Sequence, residues 1–447
     1  MTQEIENEQP KNMLKDSVVV KIAIIAVLAL ALLIPSSWIQ SIITERQSTQ
    51  EQVMTDVSDK WSGSQLVQGP VLAIPYKKEI KELDNNKKEV ITHEIETLYV
   101  LPQNLNIKAD VNTELRHRGI FDAAVYNSTV LVKGNFAKLD LAKLGIDPTS
   151  VQYDKARLIF SVSDLKGLKS NPVIQLKDQK LNVEPSFDAK SPFDKGLQVS
   201  FALQPDEELA FSFNLDLKGS NDLNFMHLGK TTTVEMTSNW GTPSFSGRSI
   251  PNTSKITSSG FSAQWSMLYY NRPYPQQWVN NDSLLNNKDS SEQATFGVKF
   301  RLPVDQYQKT TRTTKYSSLI ILLTFVSLFF TELIRKQSVH VFNYILIGAA
   351  MIIYYILLLS FSEQVGYNWA NLIASLATVT LISIFIASLL KNKQMALLFG
   401  FILSTFYGFT FILIQLEQLS LLIGSVLLFI IIAILMYFSR KINWDKH

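Results

Sequence analysis

Hydrophobic and polar positions divide this chain into a central stretch with strand periodicity and flanking stretches that are uniformly apolar, as membrane helices are. The two patterns meet just after residue 295. Apolar residues alternate with polar or small ones from Phe296 to Leu302, the period-2 pattern of a half-buried strand. Beyond Pro303 and a polar, basic collar, the chain from Leu319 to Phe330 carries no charge. We therefore expect residues before this junction to fold in water and residues after it to fold in lipid.

The collar at 304–316 marks the predicted point of membrane entry. Its tyrosines are expected near headgroup depth, where amphipathic rings are enriched. The residues predicted to form this membrane-junction motif are Asp305, Gln306, Tyr307, Arg312, Lys315 and Tyr316.

A second apolar run, Val18 to Ile34, lies near the N-terminus, with Lys21 close enough to its end to snorkel. It is short for a membrane span, since roughly 20 apolar residues cross about 30 Å of hydrocarbon. A cleaved signal peptide is the alternative, but the A-x-A pattern of Ala29 and Ala31 lies inside the apolar run rather than after it. We expect an uncleaved anchor.

The chain from residue 39 to residue 315 contains no apolar run long enough to cross a membrane. Alternating apolar positions recur there, for example at 107–115, 197–203 and 209–217. The turn-type connection 204–208 suggests that the last two of these strands form an antiparallel hairpin. Short strands separated by polar turns predict a large all-β or β-rich domain with sandwich-like packing.

The last third of the chain contains five candidate spans, which with the N-terminal anchor predict a membrane α-helical bundle of six transmembrane helices. The five are Ser317–Leu333, Val341–Phe361, Ala370–Leu390, Met395–Leu416 and Leu419–Phe438. Lysines and arginines at 335–336, 391–393 and 440–441 fall on one side of this bundle. By the positive-inside rule both termini are cytoplasmic, and the β-rich domain lies outside the cytoplasmic membrane.

Charged and small residues within the predicted spans bear on transport. The middles of the spans have no ionisable residue, which argues against ion-coupled transport. A lipid-handling channel would instead need a polar groove, for which Asn343, Tyr354 and Asn371 are the candidates.

Small residues such as Ser404 and Gly408 have i, i+4 spacing, which suits close helix packing within the bundle or a dimerisation face.

Composition and motifs offer little for catalysis. The formal net charge of +3 is small for 447 residues and does not suggest nucleic-acid binding, and the absence of cysteine removes disulfides and zinc–thiolate sites. The phosphate-loop fragment Gly229–Thr231 has Asn224 where its first glycine would stand, and a strand would put His93 and Glu94 on opposite faces. We expect no enzyme, cofactor or metal. A carboxylate pair needs no local motif, so an enzyme acting on envelope glycans or lipids stays open.

Aromatic residues cluster within forty positions that are also rich in glycine and proline. They are Trp240, Phe245, Phe261, Trp265, Tyr269, Tyr270, Tyr274 and Trp278. Such a set suits a platform that stacks on sugar rings, a belt that dips into the outer leaflet, or the core of a sandwich. The residues predicted to bind a ligand, if the set is a surface, are Trp240, Trp265, Tyr269, Tyr270 and Trp278.

Several stretches of this sequence resemble the CreD family of bacterial inner-membrane proteins. They are 66–75 (LVQGPVLAIP), 237–245, 259–265 and, most specifically, the membrane-junction motif. Gly241 departs from the family pattern, which commonly has a Trp-Pro pair there. The resemblance covers nearly the whole chain and implies a multi-pass inner-membrane protein with a periplasmic domain and a role in cell-envelope integrity. It also implies a link to envelope stress and antibiotic response, and it supplies no catalytic residues.

The predicted organisation has five parts along the chain. They are a cytoplasmic tail at 1–17, a transmembrane anchor at 18–38, a periplasmic β-rich domain at 39–315, a five-helix transmembrane bundle at 316–439 and a cytoplasmic tail at 440–447. We expect the lipid bilayer as a partner, together with peptidoglycan, an envelope lipid or an envelope protein, and no nucleic acid.

Overall fold

The computed structural model describes residues 18–83, 89–187, 191–204, 206–300, 306–335, 338–416 and 420–439. The chain divides into two compact units. The β unit comprises residues 51–303, and the helix unit comprises the residues up to 50 and from 304 onwards. The predicted tails at 1–17 and 440–447 lie outside the described residues.

Eight α-helices are formed by the described residues. They are α1 (Val18–Ala31), α2 (Leu33–Trp61), α3 (Lys288–Ala294), α4 (Gln306–Lys315), α5 (Ser317–Arg335), α6 (Val341–Leu390), α7 (Lys393–Gln415) and α8 (Ser420–Ser439). Pro35 falls in the first turn of α2, where a proline removes no intrahelical hydrogen bond, so the helix continues to Trp61.

The described strands of the β unit lie in two sheets. The strands are β1 (Gln65–Leu83), β2 (Glu89–Val100), β3 (Asn104–Arg118), β4 (Phe121–Phe136), β5 (Ala156–Val162), β6 (Val173–Leu176), β7 (Gln179–Asn182), β8 (Glu184–Pro185), β9 (Gly196–Phe201), β10 (Leu209–Ser220), β11 (Asp222–Met226), β12 (Thr231–Ser238), β13 (Pro243–Gly247), β14 (Thr253–Thr257), β15 (Gly260–Leu268), β16 (Gln277–Val279) and β17 (Thr295–Phe300). The first sheet has the order β13-β17-β11-β1-β5-β9-β8, with β2 on β1 and β16 on β2. The second has the order β14-β15-β12-β3-β4-β10-β6-β7.

The two sheets pack face to face, with aromatic pairs between them. Phe160 of β5 lies 4.7 Å from Phe213 of β10 between ring centroids, and Trp265 of β15 lies 5.7 Å from Phe296 of β17. Buried apolar residues from both sheets form one continuous core. The prediction of a large β-rich domain with sandwich-like packing is confirmed.

Strand periodicity correctly predicts which face of a strand is buried, whereas the turn-type connection at 204–208 leads to a wrong strand pairing. In β3 buried and exposed residues alternate from Asn104 to Thr113, and β10 shows the same alternation. The predicted hairpin between the strands at 197–203 and 209–217 is wrong, because β9 pairs with β5 in the first sheet and β10 pairs with β4 in the second. Their connection passes from one sheet to the other.

One buried histidine and one buried arginine lie at the end of the second sheet. His227 is 1% exposed; its Nε2 donates to the carbonyl of Leu268 at 3.1 Å, and its Nδ1 accepts from the Thr232 hydroxyl at 2.9 Å. Both bonds suit the neutral ring. The pKa of His227 is lowered to about 4, mainly by burial; the hydrogen bond to Leu268 opposes this shift and the nearby Arg272 charge adds to it.

The helix unit contains one long helix that reverses direction. α6 runs for 50 residues, but Gly366 inside it has φ 78° and ψ 161°, which are not helical values. A straight helix would separate Tyr354 from Asn371 by about 25 Å along its axis. The Tyr354 hydroxyl nevertheless donates to Asn371 Oδ1 at 2.6 Å. The helix therefore folds back at Gly366 into two arms.

The prediction of membrane-spanning helices is confirmed, but the count of six is not supported. Among the described residues, three helices are long and apolar enough to cross a membrane, or four if the bent pair of α4 and α5 forms one span. The difference arises at two places. Two predicted spans fall within α6, and the described part of the last one, Leu422–Ile434, is only a shorter apolar helix.

Lowering the pH is expected to destabilise the β unit through His227. The unfolded chain binds a proton with pKa about 6.5, whereas the folded chain does so only near pKa 4. Stability is therefore complete above pH 6.5 and falls as the pH drops towards 4. Between pH 7.5 and 5 the free energy of unfolding should fall by about 2 kcal/mol from this residue alone. Urea unfolding of the full chain, followed by tryptophan fluorescence at both pH values, measures the loss.

The matched variant His227→Gln keeps a donor and an acceptor but does not titrate. Its unfolding free energy should lack this part of the pH dependence. Equal pH dependence in the two proteins would show that His227 is not the titrating group.

Candidate functional site

The predicted aromatic surface is split by the fold between core and surface. Trp265 is 1% exposed, and its indole donates to the carbonyl of Ser249 at 3.2 Å. Trp240 is buried as well, and Trp278 is buried with its ring stacked on Tyr99 at 5.4 Å. These three tryptophans do not form a platform, because they point to the inside of the sandwich.

Two members of the predicted set remain accessible. Tyr270 is 91% exposed, and Tyr269 is partly exposed with the Arg272 guanidinium 4.9 Å from its ring centroid. Arg272 is itself buried and donates to the carbonyls of Leu228 and Tyr274. The buried Arg272 side chain thus holds the turn that carries both tyrosines in place. Ligand binding by these two residues stays a prediction.

The membrane-junction motif lies mostly in α4, with Asp305 outside the described residues. Tyr307 is fully buried, and its hydroxyl donates to Glu363 at 2.8 Å. Gln306, Arg312 and Tyr316 are half-buried, and Lys315 is exposed. The motif is therefore part of the packing of the helix unit, with Lys315 exposed at its end.

A polar cleft on the first sheet brings charged and amide side chains together in the β unit. It has a volume of about 710 Å³ and lies on the outer face of β13, β17 and β11, beside α3. Successive side chains of a strand point to opposite faces. Leu223, Phe225 and Val298 point into the core, so the residues next to them in the sequence point into the cleft. The polar lining residues are Asp222, Asn224, Ser246, Arg248, Asp289, Glu292, Gln293, Thr295 and Lys299.

A glycine in the central strand lets the two outer strands interact across it. Ser246, Gly297 and Asn224 lie in one cross-strand row. Because Gly297 has no side chain, the Ser246 hydroxyl reaches Asn224 Oδ1 at 3.1 Å. The Asn224 amide in turn donates to Asp222 Oδ1 at 3.1 Å. The result is an ordered chain of donors that ends on a carboxylate.

The carboxylate at the end of this chain has a perturbed proton affinity. Burial raises the pKa of Asp222, although a hydrogen bond from Ser64 and the charge of Lys299 act in the opposite direction. Lys299 is the direct cross-strand neighbour of Asp222. A desolvated carboxylate with a specific charge partner in a cleft is a typical feature of functional sites.

The walls of the cleft add charges of both signs. Asp289 and Glu292 come from α3, and Arg248 follows β13. Among the described residues, no group of three or more histidine or acidic side chains is placed to hold a metal ion. The cleft thus offers carboxylates, amides, hydroxyls and two cations, a set that suits a ligand rich in hydroxyl and amide groups.

Sequence reasoning missed this site because its residues are distant along the chain. The available signal was local: polar residues at 222 and 224 alternate with apolar ones, as do Gly297 and Lys299 in β17. Only the pairing of β11, β17 and β13 brings them together.

Gly297→Ala is expected to disturb the cleft from its centre. A Cβ atom at this position would lie 2.3 Å from the Leu223 carbonyl oxygen and 2.5 Å from Asn224 Oδ1, so the backbone has to shift. We expect a loss of roughly 1–3 kcal/mol in the free energy of unfolding. The control Gly63→Ala meets its nearest atom only at 4.0 Å and should change stability by less than about 0.5 kcal/mol. Equal urea midpoints for the two variants would contradict the packing described.

Comparison with known proteins identifies the family. The profile described as inner membrane protein CreD matches residues 17–445. The inner membrane protein CreD of Escherichia coli strain K12 is 29% identical over 425 residues, which cover 93% of this chain and 91% of that protein.

A solved structure gives a much weaker match. An M1 zinc metallopeptidase from Deinococcus radiodurans matches with a TM-score of 0.20 and 10% identity over 49% of this chain, which spans 53% of that structure. No fold or activity is carried over from it. The family profile, in contrast, extends over almost the whole sequence, so the chain belongs to the CreD family of inner membrane proteins.

Proposed function

We propose that this inner membrane protein supports the integrity of the cell envelope by binding a polar envelope component in a periplasmic β unit. The observation that carries the proposal is the polar cleft, where Ser246, Asn224 and Asp222 form a directed hydrogen-bond chain on an exposed sheet face. Such a chain holds the side chains in fixed orientations before a ligand arrives, which lowers the entropy cost of binding.

The connections of the β unit support a role close to the membrane. The chain enters the unit through α2 and leaves it towards α4, so both ends continue into membrane helices. A domain tied at both ends has a restricted reach, and its ligand should lie near the bilayer. The positive charges of the short loops at 335 and 391–393 support a periplasmic location for the unit, because such loops stay in the cytoplasm.

The chemistry of the cleft favours a hydroxyl-rich and amide-rich ligand, such as a wall glycan with its peptide. Carboxylates and amides bind hydroxyl groups, whereas Arg248 and Lys299 suit ligand carboxylates. Tyr269 and Tyr270, the exposed aromatic residues of the predicted set, are not among the residues that line the cleft, and they offer a separate surface for stacking.

A second candidate, an enzyme acting on envelope glycans, is favoured by one observation. Asp222, with a raised pKa, shares the cleft with Asp289 and Glu292. A carboxyl group with a raised pKa is suited to donate a proton to a leaving oxygen while a second carboxylate assists. We propose binding as the main role, because the hydrogen-bond chain occupies Asp222 Oδ1 with a donor from Asn224.

Asp222→Asn in the full chain is the test of the cleft. A deletion strain should become sensitive to detergent and to a cell-wall antibiotic, and the wild-type chain should restore resistance. Asp222→Asn should fail to restore it although the protein accumulates normally, since the new amide cannot accept the Asn224 and Ser64 donors in the same way. The matched control Asp178→Asn lies on an exposed turn and should rescue fully.

The other results have distinct meanings. Unchanged resistance in the deletion strain would contradict the envelope role. Full rescue by Asp222→Asn would show that the cleft is not needed for that role. Release of reducing ends from isolated wall glycan by the purified full chain, but not by Asp222→Asn, would replace the binding role with the enzyme.

A further inference from the structure

Two helices of the membrane unit are in close contact at one end and separate towards the other. A Cβ atom added to Gly400 of α7 would lie 2.9 Å from the Ser383 hydroxyl on the second arm of α6. One added to Gly408, eight residues further along α7, would meet no atom within 4 Å. The small residues of α7 thus pack closely at Gly400 and leave a space at Gly408.

This space is a groove of about 520 Å³ between the second arm of α6 and α7. Its lining includes Leu372, Ser375, Ser404, Gly408 and Phe411. Tyr407 also lines the groove; it is 2% exposed, and its hydroxyl has no hydrogen-bond partner among the described residues. The groove itself is an open space that the described side chains leave unfilled.

The rim of the groove faces a lipid environment. Both helices are long and apolar enough to cross a membrane. Trp369, Leu372 and Leu376 are more than half exposed, at 64%, 54% and 65%. Apolar side chains exposed on a membrane helix contact lipid acyl chains, so the molecules available to fill the groove are lipids and other helices.

The size of the groove decides between a lipid chain and another helix. A helix with its side chains is about 10–12 Å across, so it would lie over the groove and fill it only with single side chains. The volume lies instead in the range of roughly 300–1,000 Å³ that holds a small molecule. One acyl chain therefore suits it better than a second copy of the protein.

The mouth of the groove is polar and carries a positive charge. Asn368 lines the groove and accepts from the Gln415 amide at 2.6 Å. Gln415 in turn accepts from the Lys309 ammonium at 3.1 Å. The helix that carries Lys309 also carries Arg312 and Lys315 and contains no acidic residue. A phosphate at the mouth would thus meet amide groups and the Lys309 ammonium.

From these observations we infer that the groove binds an anionic phospholipid, with one acyl chain beside Gly408 and the headgroup phosphate beside Lys309. The site is distinct from the polar cleft and does not depend on the function proposed for it. Lys309 selects the headgroup, and the open space at Gly408 admits the chain.

Quenching of Trp369 by brominated lipids tests this site directly. The full chain is placed in phosphatidylcholine bilayers with increasing fractions of phosphatidylglycerol, and bromine is carried on the acyl chains of one lipid at a time. The signal of Trp369 is obtained by subtracting that of the Trp369→Phe variant. Phosphatidylglycerol should associate about fivefold more strongly than phosphatidylcholine, the effect of about one cation near a membrane surface.

Two variants separate the acyl and headgroup parts of the site. Gly408→Leu fills the groove without meeting another atom at its Cβ and should reduce the preference to about one. Thr405→Leu adds the same side chain at an exposed position outside the groove lining and should leave the preference unchanged. Lys309→Gln keeps the groove and should lower the preference, with retained helical circular dichroism as the control for folding.

Three outcomes would overturn the inference. Equal quenching by the two lipids would remove the headgroup selectivity, and a preference that persists in Gly408→Leu would place the lipid elsewhere. Loss of quenching by both lipids as the protein density rises would show that a second copy covers the groove.

Discussion

Backbone hydrogen bonding in lipid is the constraint that divides this molecule. No water is present in the hydrocarbon region, so each peptide group there needs a partner within its own helix, and open sheet edges are excluded. Every described strand accordingly lies in the β unit. α4 extends the same rule to side chains: the buried Thr310, Thr313 and Thr314 each donate to the carbonyl four residues earlier. A polar helix can thereby pack inside the helix unit.

Local patterns predicted the two kinds of structure but not their connections. Alternation in β3 and β10 was enough to predict their buried faces, since it depends only on neighbouring residues. The choice of sheet for β9 and β10 depends on distant partners, and no local pattern carries it. Gly366 illustrates the same limit in the helices, because a lone glycine in an apolar run does not reveal that the chain turns back there.

For the candidate sites too, the sequence shows the residue types, whereas their positions depend on packing and strand pairing. The clustering of aromatic residues was visible in the sequence. Whether they lie in the core or on the surface depends on the packing between the sheets, which buries Trp265 and Trp278. The polar cleft depends on cross-strand register: Gly297 matters only because Asn224 and Ser246 lie on either side of it. Charges close in space, such as Asp222 and Lys299, are far apart in the sequence. The sequence alone therefore contains the residues of the cleft, but without the strand pairing it does not show that they form one site.

The reversal at Gly366 has a consequence for how the protein enters the membrane. The Tyr354 hydroxyl and the Asn371 side-chain carbonyl oxygen meet between the arms of α6 in a hydrogen bond within one continuous segment. This bond needs no later helix, so the segment can enter the membrane as a hairpin with these two groups already paired. α7, whose Tyr407 ring lies 4.5 Å from that of Tyr354, then packs onto a surface that is already formed. Biogenesis can thus follow the order of synthesis, with this hydrogen bond formed before α7 arrives.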